Sequence, residues 1–151
     1  MIFHTATKGV GVAENKSLRF EKLGKHRVFA LAELQERADH NPLDDGREQY
    51  RVWIGDQEAA YLSFDTFYTD QLNMYEIFVA SNLWNMGIGT KIIEFAVELG
   101  KQMGKTRLTA RPRPLSDQSL TDLITWYVNR GFTPDKNEKG LFEIKFAEND
   151  A

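Results

Sequence analysis

The sequence predicts an α+β fold, a mixed sheet flanked by helices, and three observations carry that expectation. Residues 49–55 alternate Tyr50, Val52 and Ile54 against Arg51 and Trp53, and Asp56-Gln57 turns the chain into a second strand over 58–67, an antiparallel hairpin. Residues 72–80 are apolar on both faces, Tyr75, Ile77 and Val79 on one and Met74, Phe78 and Ala80 on the other, which is how a central, doubly covered strand reads. Helix-period stretches over 26–39, 90–103 and 117–130 are interleaved with the strands rather than segregated from them.

Residues 1–16, with Gly9-Val10-Gly11-Val12, support no more than a loose edge strand or arm. Residues 17–23 alternate and end at Gly24, a strand. Over 26–39, Val28, Leu31, Ala32, Leu34 and Ala38 keep a helical period that Asn41-Pro42 stops. In 90–103, Ile92, Ile93, Ala96, Leu99 and Met103 form a broad apolar stripe, with Gly104 just past its end. Residues 106–110 make a short strand, and Arg111-Pro112-Arg113-Pro114 a stiff connection without helix. The helix over 117–130 shows Leu120, Leu123, Ile124, Tyr127 and Val128 on one face. Asn137-Glu138-Lys139-Gly140 then turns into a last strand, 141–146, before a polar tail.

At 151 residues the chain is expected to form one domain spanning 1–151, with 42% hydrophobic and 27% charged residues, an ordinary globular balance. A formal net charge of -3 gives no general affinity for polyanions, so nucleic acid is not an expected partner. The absence of cysteine removes disulfides, thiolate metal sites and cysteine nucleophiles, and is compatible with a reducing cytoplasm, the expected location. No signal peptide is read at the N-terminus, and no apolar run approaches the ~20 residues of a membrane span. His4, His26 and His40 have no spacing that suggests a triad or zinc site, and no metal is expected.

The most informative stretch runs from Tyr75 to Ile93. An apolar strand passes through Ser81-Asn82-Leu83-Trp84-Asn85-Met86 into Gly87-Ile88-Gly89, and a helix starts at once. That order sets backbone N–H groups and a positive helix end where a phosphate can sit, although tight turns without a ligand use Gly-x-Gly as well. Downstream, Leu120–Phe132 is a helix ending in Tyr127-Val128-Asn129-Arg130-Gly131-Phe132. Together, with one strand between them, these two segments resemble the GNAT superfamily of acetyl-CoA-dependent N-acyltransferases, from about residue 50 to 146.

The resemblance implies a GNAT-like, mostly antiparallel sheet whose fourth and fifth strands run parallel and splay into a V-shaped opening that receives acyl-CoA. It implies that the backbone of Phe78 and Val79 meets the pantetheine arm, with Val79 N–H stabilising the thioester oxyanion. It makes Trp84, Asn85, Met86, Gly87, Ile88 and Gly89 the pyrophosphate loop, and gives Thr90 a hydroxyl bond to a phosphate. Trp84 and Asn85 depart from the family's usual Arg or Gln and Gly, so the loop has one charge-assisted bond to phosphate fewer, while Asn tolerates a left-handed backbone. Leu120 stands where many relatives carry an Asn. Tyr127 takes the position of the tyrosine that protonates the departing thiolate; as a stripe residue it reads equally as core. Lys91, Lys101, Lys105 and Arg107 could meet CoA phosphates or form a solvated face.

Glu76 is the sharpest local anomaly, a carboxylate on an apolar central strand that must find a partner, water or a site. It reads as a general base for the acceptor amine or as half of a salt bridge. Asp39, His40, Asp44, Asp45 and Glu48 cluster after the first helix; in the family this neighbourhood shapes the acceptor pocket, and an acidic loop would suit a cationic amine, or be simply solvated. The expected function is therefore an N-acetyltransferase working by direct amine attack on acetyl-CoA, with a small-molecule or peptide amine as acceptor and a homodimer formed through exposed strands as one mode of assembly. The alternative is a catalytically degenerate GNAT-fold binding or assembly module.

Overall fold

The computed structural model describes residues 17–115 and 118–147; the arm or edge strand expected in 1–16 lies outside them, as does the end of the polar tail. The elements are β1 (Leu18–Lys22), α1 (Ala32–Asp39), β2 (Arg47–Ile54), β3 (Gln57–Asp65), β4 (Gln71–Val79), a 3-10 turn (Ser81–Leu83), α2 (Ile88–Gln102), β5 (Arg107–Ala110), α3 (Leu120–Val128), β6 (Thr133–Pro134) and β7 (Phe142–Lys145). The strands form one sheet in the order β1-β2-β3-β4-β5-β7-β6. Every neighbouring pair is antiparallel except β4 and β5. The expected α+β architecture with a mixed sheet is what the chain adopts.

α1 starts six residues later than its apolar period suggests. The amide of Phe29 donates to Gln35 Oε1 at 2.8 Å, and those of Ala30 and Leu31 donate to the buried Glu58 carboxylate at 3.0 and 2.8 Å. These bonds, charge-assisted at Glu58, keep 29–31 out of the helix, which leaves Val28 73% exposed and off any helix face. α1 packs Leu34 and Ala38 against Tyr61 and Phe78 on one face of the sheet. α2 covers the other face with Ile92, Ile93 and Ala96, and α3 adds Trp126 and Tyr127 to that larger cluster.

β4 does not alternate simply. Ser63 pairs with Glu76 and Phe64 with Met74, so Tyr75 is an extra residue opposite nothing on β3, a β-bulge. The inserted residue shifts the phase: Met74, opposite Phe64, shares the α2 face with Ile77 and Val79, opposite Leu62 and Ala60, while Glu76 and Phe78 share the α1 face. This corrects the two faces expected for 72–80, which set Met74 with Phe78. Parallel pairing of β4 with β5 runs only from Gln71↔Arg107 to Met74↔Ala110. Residues 75–79 of β4 continue with no β5 residue opposite them, and the strands part there.

Candidate functional site

Where β4 leaves β5, a cavity of about 270 Å³ opens. Glu76, Phe78 and Val79 supply its β4 wall, Trp84 closes one end, and Trp126 and Tyr127 of α3 form the facing wall. Five of the residues singled out from the sequence (Glu76, Phe78, Val79, Trp84 and Tyr127) thus meet around one space. Asn85, Met86, Gly87, Ile88, Gly89 and Thr90 are not among its lining residues; they form the adjoining loop and the first turn of α2.

That loop has the backbone its composition calls for. Asn85 sits at φ 66° and Gly87 at φ 77°, both left-handed, and Gly87 N-caps α2 with no side chain capping the helix. The first amides of α2 have no intrahelical acceptor, and the N-cap glycine has no side chain to offer them. Gly89 is a glycine for packing: an added Cβ would lie 2.5 Å from Trp126 Cζ2. Trp84 behaves differently from the loop that follows it. Its indole Nε1 donates to Val79 O at 2.7 Å, folding the ring back over the end of β4.

Sequence reasoning missed Trp126. It is 4% exposed, and its Nε1 has no hydrogen-bond partner among the described residues. The ring edge that carries Nε1 faces Gly89. A buried orphan donor beside a helix N-terminus is costly unless something accepts from it. Its signal in the sequence was the period Leu123, Trp126, Tyr127, Arg130, three and four residues apart. Tyr127 itself is buried and packs edge-on against both Trp126 and Phe132. Burial pushes its phenol well above the ordinary value; Arg113 opposes that rise and Glu76 adds to it. Leu120, by contrast, is 49% exposed and off the cavity, whose wall is completed by Leu123 and Gln118.

Glu76 has found a partner. Arg37 Nε and Nη2 donate to its two oxygens at 2.5 and 2.8 Å, and Asn41 Nδ2 adds a third bond at 2.8 Å. The fork is bidentate and largely shielded, with side-chain exposures of 21% for Arg37 and 11% for Glu76. The hydrogen bond to Glu76 raises the Arg37 guanidinium above its ordinary value, against the opposing effect of burial.

Three of the lysines and arginines weighed as phosphate contacts lie elsewhere. Lys101 is in the last turn of α2, about 20 Å from its start at 1.5 Å per residue. Lys105 Nζ donates to Thr66 O and Tyr68 O, and Arg107 is bound into a cluster with Asp135, Glu143 and Gln71. Lys91 is exposed on α2. The acidic residues Asp39, Asp44, Asp45 and Glu48 do not line the cavity either; Arg37, Arg111 and Arg113 do. Among the described residues, no three His, Asp or Glu side chains are grouped to hold a metal ion, and no helix is long and apolar enough to cross a membrane.

The acetyltransferase (GNAT) family profile matches residues 18–132. No curated protein matches the sequence. Among solved structures, a GNAT family acetyltransferase from Elizabethkingia anophelis with acetyl-CoA bound aligns at TM-score 0.62 and 14% identity, over 85% of this chain and 98% of its own. An acetyltransferase from Bacillus subtilis in complex with CoA aligns at 0.63 and 18%, over 87% of this chain and 100% of its own. An IAA acetyltransferase from Bacillus cereus aligns at 0.62 and 18%, over 86% and 100%. At these identities the likeness is one of fold.

Proposed function

We propose, from the premise that this chain belongs to the acetyltransferase (GNAT) family, that it is a single-domain N-acetyltransferase moving an acetyl group from acetyl-CoA to an amine by direct attack. The observation that carries the reading is the open seam beside β4, which leads to a helix start N-capped by a glycine, next to an indole N–H with no partner among the described residues. An extended arm bearing amides suits an unpaired strand, and a pyrophosphate suits unsatisfied amides at a helix N-terminus.

The arm would lie along Phe78 and Val79. The phosphates would lie on the loop from Asn85 to Thr90. Trp84 brings no cation to them, and Trp126 Nε1 would offer a neutral donor in part compensation. Acetyl-CoA, when bound, supplies the thioester carbonyl that the amine attacks. Val79 N–H is fixed in a strand and needs no reorganisation to meet negative charge on that oxygen. Burial keeps Tyr127 a phenol at neutral pH, so its Oη holds a proton for the departing sulfur. Glu76 receives the proton of the amine through water, because both its oxygens are already engaged by Arg37 and Asn41.

One observation favours a second reading, a GNAT-fold module that binds without catalysing: the Trp84 indole occupies Val79 O, an acceptor the arm would use. Calorimetric titration with acetyl-CoA, with CoA and ATP as controls, separates the two. Saturable micromolar binding of acetyl-CoA, followed by thiol release with an amine panel, supports the enzyme. Absence of binding at millimolar ligand sinks it.

A further inference from the structure

The charges around the cavity do not suit the cationic amine that the acidic loop suggested. Among the described residues, four charged side chains line it: Arg37, Glu76, Arg111 and Arg113. Arg37 is neutralised by Glu76, and Arg111 is paired with Glu138. Arg113 has only neutral contacts. Its Nη2 donates to Tyr75 O at 3.2 Å, and its guanidinium lies 4.2 Å from the centre of the Tyr75 ring. No carboxylate pairs with it among the described residues.

Its position is nonetheless held. Tyr75 is the bulged residue of β4, and its ring also contacts Arg47, at 4.6 Å and anchored in turn to Asp65. A ring in contact with both guanidiniums positions Arg113 without cancelling its charge, since a cation–π contact supplies no counter-ion. Two prolines, Pro112 and Pro114, flank Arg113 and stiffen the connection that carries it. A guanidinium has five donors and binds a carboxylate or phosphate in a fork; here one donor is used among the described residues.

We propose that the acceptor is a small amine carrying its own anionic group, a carboxylate or phosphate, and that Arg113 binds that group. The inference rests on the acetyltransferase reading for the amine, but the anion site stands on Arg113 alone. A cavity of about 270 Å³ that also admits the end of an acyl arm leaves room for a small acceptor rather than a folded one. With the anion at Arg113, the amine would lie toward the Glu76 end of the cavity, where the Arg37–Glu76 pair presents no net charge.

The test has two independent arms. In the first, acetyl transfer is followed by thiol release with four acceptors: β-alanine (carboxylate), phosphoethanolamine (phosphate), propylamine (neutral) and putrescine (second cation). The expected order of kcat/KM is anionic above neutral above cationic. Arg113→Gln should lower the ratio of anionic to neutral by about tenfold or more, mainly through KM, as one charge-assisted fork is removed. Arg113→Lys should recover part of it. Whichever of the two anions is better names the group. Equal rates for anionic and neutral amines, a preference for putrescine, or an equal fall for all acceptors in Arg113→Gln overturns the proposal while leaving the acetyltransferase reading intact.

In the second arm, β-alanine and phosphoethanolamine are titrated calorimetrically into the protein alone. Binding that disappears in Arg113→Gln supports the anion site even if acetyl-CoA does not bind, in which case only the enzymatic reading falls. Heats indistinguishable between wild type and Arg113→Gln overturn it. Arg113 is exposed, and circular dichroism of the variant checks that the fold is retained.

Discussion

Replacing Gly89 with alanine tests why a glycine stands in the first turn of α2. An ideal Cβ there lies 2.5 Å from Trp126 Cζ2 and 3.4 Å from Cε2 and Cη2. Carbon atoms in contact sit about 3.5–4.0 Å apart, so the ring must retreat by roughly 1 Å. It has little room to do so. Trp126 is buried, with the Tyr127 ring 5.0 Å away edge-on and the Arg130 guanidinium 4.0 Å over its face. Overpacking costs about 1–3 kcal/mol, and a rigid aromatic against backbone belongs in the upper half of that range. Alanine returns at most about 1 kcal/mol of helix propensity. The net loss is about 1–3 kcal/mol, visible as a lower urea midpoint with unchanged slope and a Tm reduced by about 2–4 °C per kcal/mol. Adding Trp126→Phe removes the clashing edge, so the double variant should be more stable than the sum of the two single effects. A Gly89→Ala protein as stable as wild type, or strictly additive variants, would refute the packing role.

Other perturbations read other parts of the site. Trp84→Phe keeps the ring but frees Val79 O, and should tighten CoA binding by about 2–10-fold in calorimetry; weaker binding would mean that the indole serves the cofactor. Glu76→Gln preserves shape but removes the charge opposite Arg37, at an expected cost of about 1–3 kcal/mol in urea denaturation for this part-buried pair; unchanged stability would contradict a structural role. Burial pushes Tyr61 to about 12 and Tyr50 and Tyr127 higher still. The folded state thus favours the neutral phenols. That contribution is whole below the unfolded value of ~10 and is lost as pH rises from there through about 12. Stability should fall across that window, with these phenolates forming only as circular dichroism is lost; ionisation of all five tyrosines in the folded protein would contradict it.

The hairpin, the central strand and the strand–Gly-x-Gly–helix unit are legible in the sequence because each is a local pattern with its own period. The start of α1 is not, because Glu58, more than twenty residues downstream, takes the amides of Ala30 and Leu31. The bulge at Tyr75 has no signature in a run of apolar residues, yet it decides which face carries Glu76 and which carries Ile77. β6, two residues long and containing Pro134, is below the reach of any periodicity. Around the cavity, Tyr127 is readable from its motif. Arg113 is not, because a Pro-rich connection announces only its stiffness, and its bearing on the cavity depends on where β5 stops pairing. Trp126 is hidden by its more familiar neighbour.

The parallel contact between β4 and β5 has a mechanical consequence. It is a zipper of four residue pairs, Gln71↔Arg107 to Met74↔Ala110, reinforced by side-chain bonds from Arg107 to Gln71 and from Thr109 to Asn73. Among the described residues, the hydrogen-bonded ladder passes from β1–β4 to β5, β7 and β6 through those pairs and the flanking bond from Thr106 N to Asp70 O. The molecule is in this respect a pair of jaws on a short hinge, and the gape is set at the hinge rather than at the rim. A substitution at Asn73 or Thr109, which do not line the cavity, would alter how far the walls part and therefore which ligand they grip.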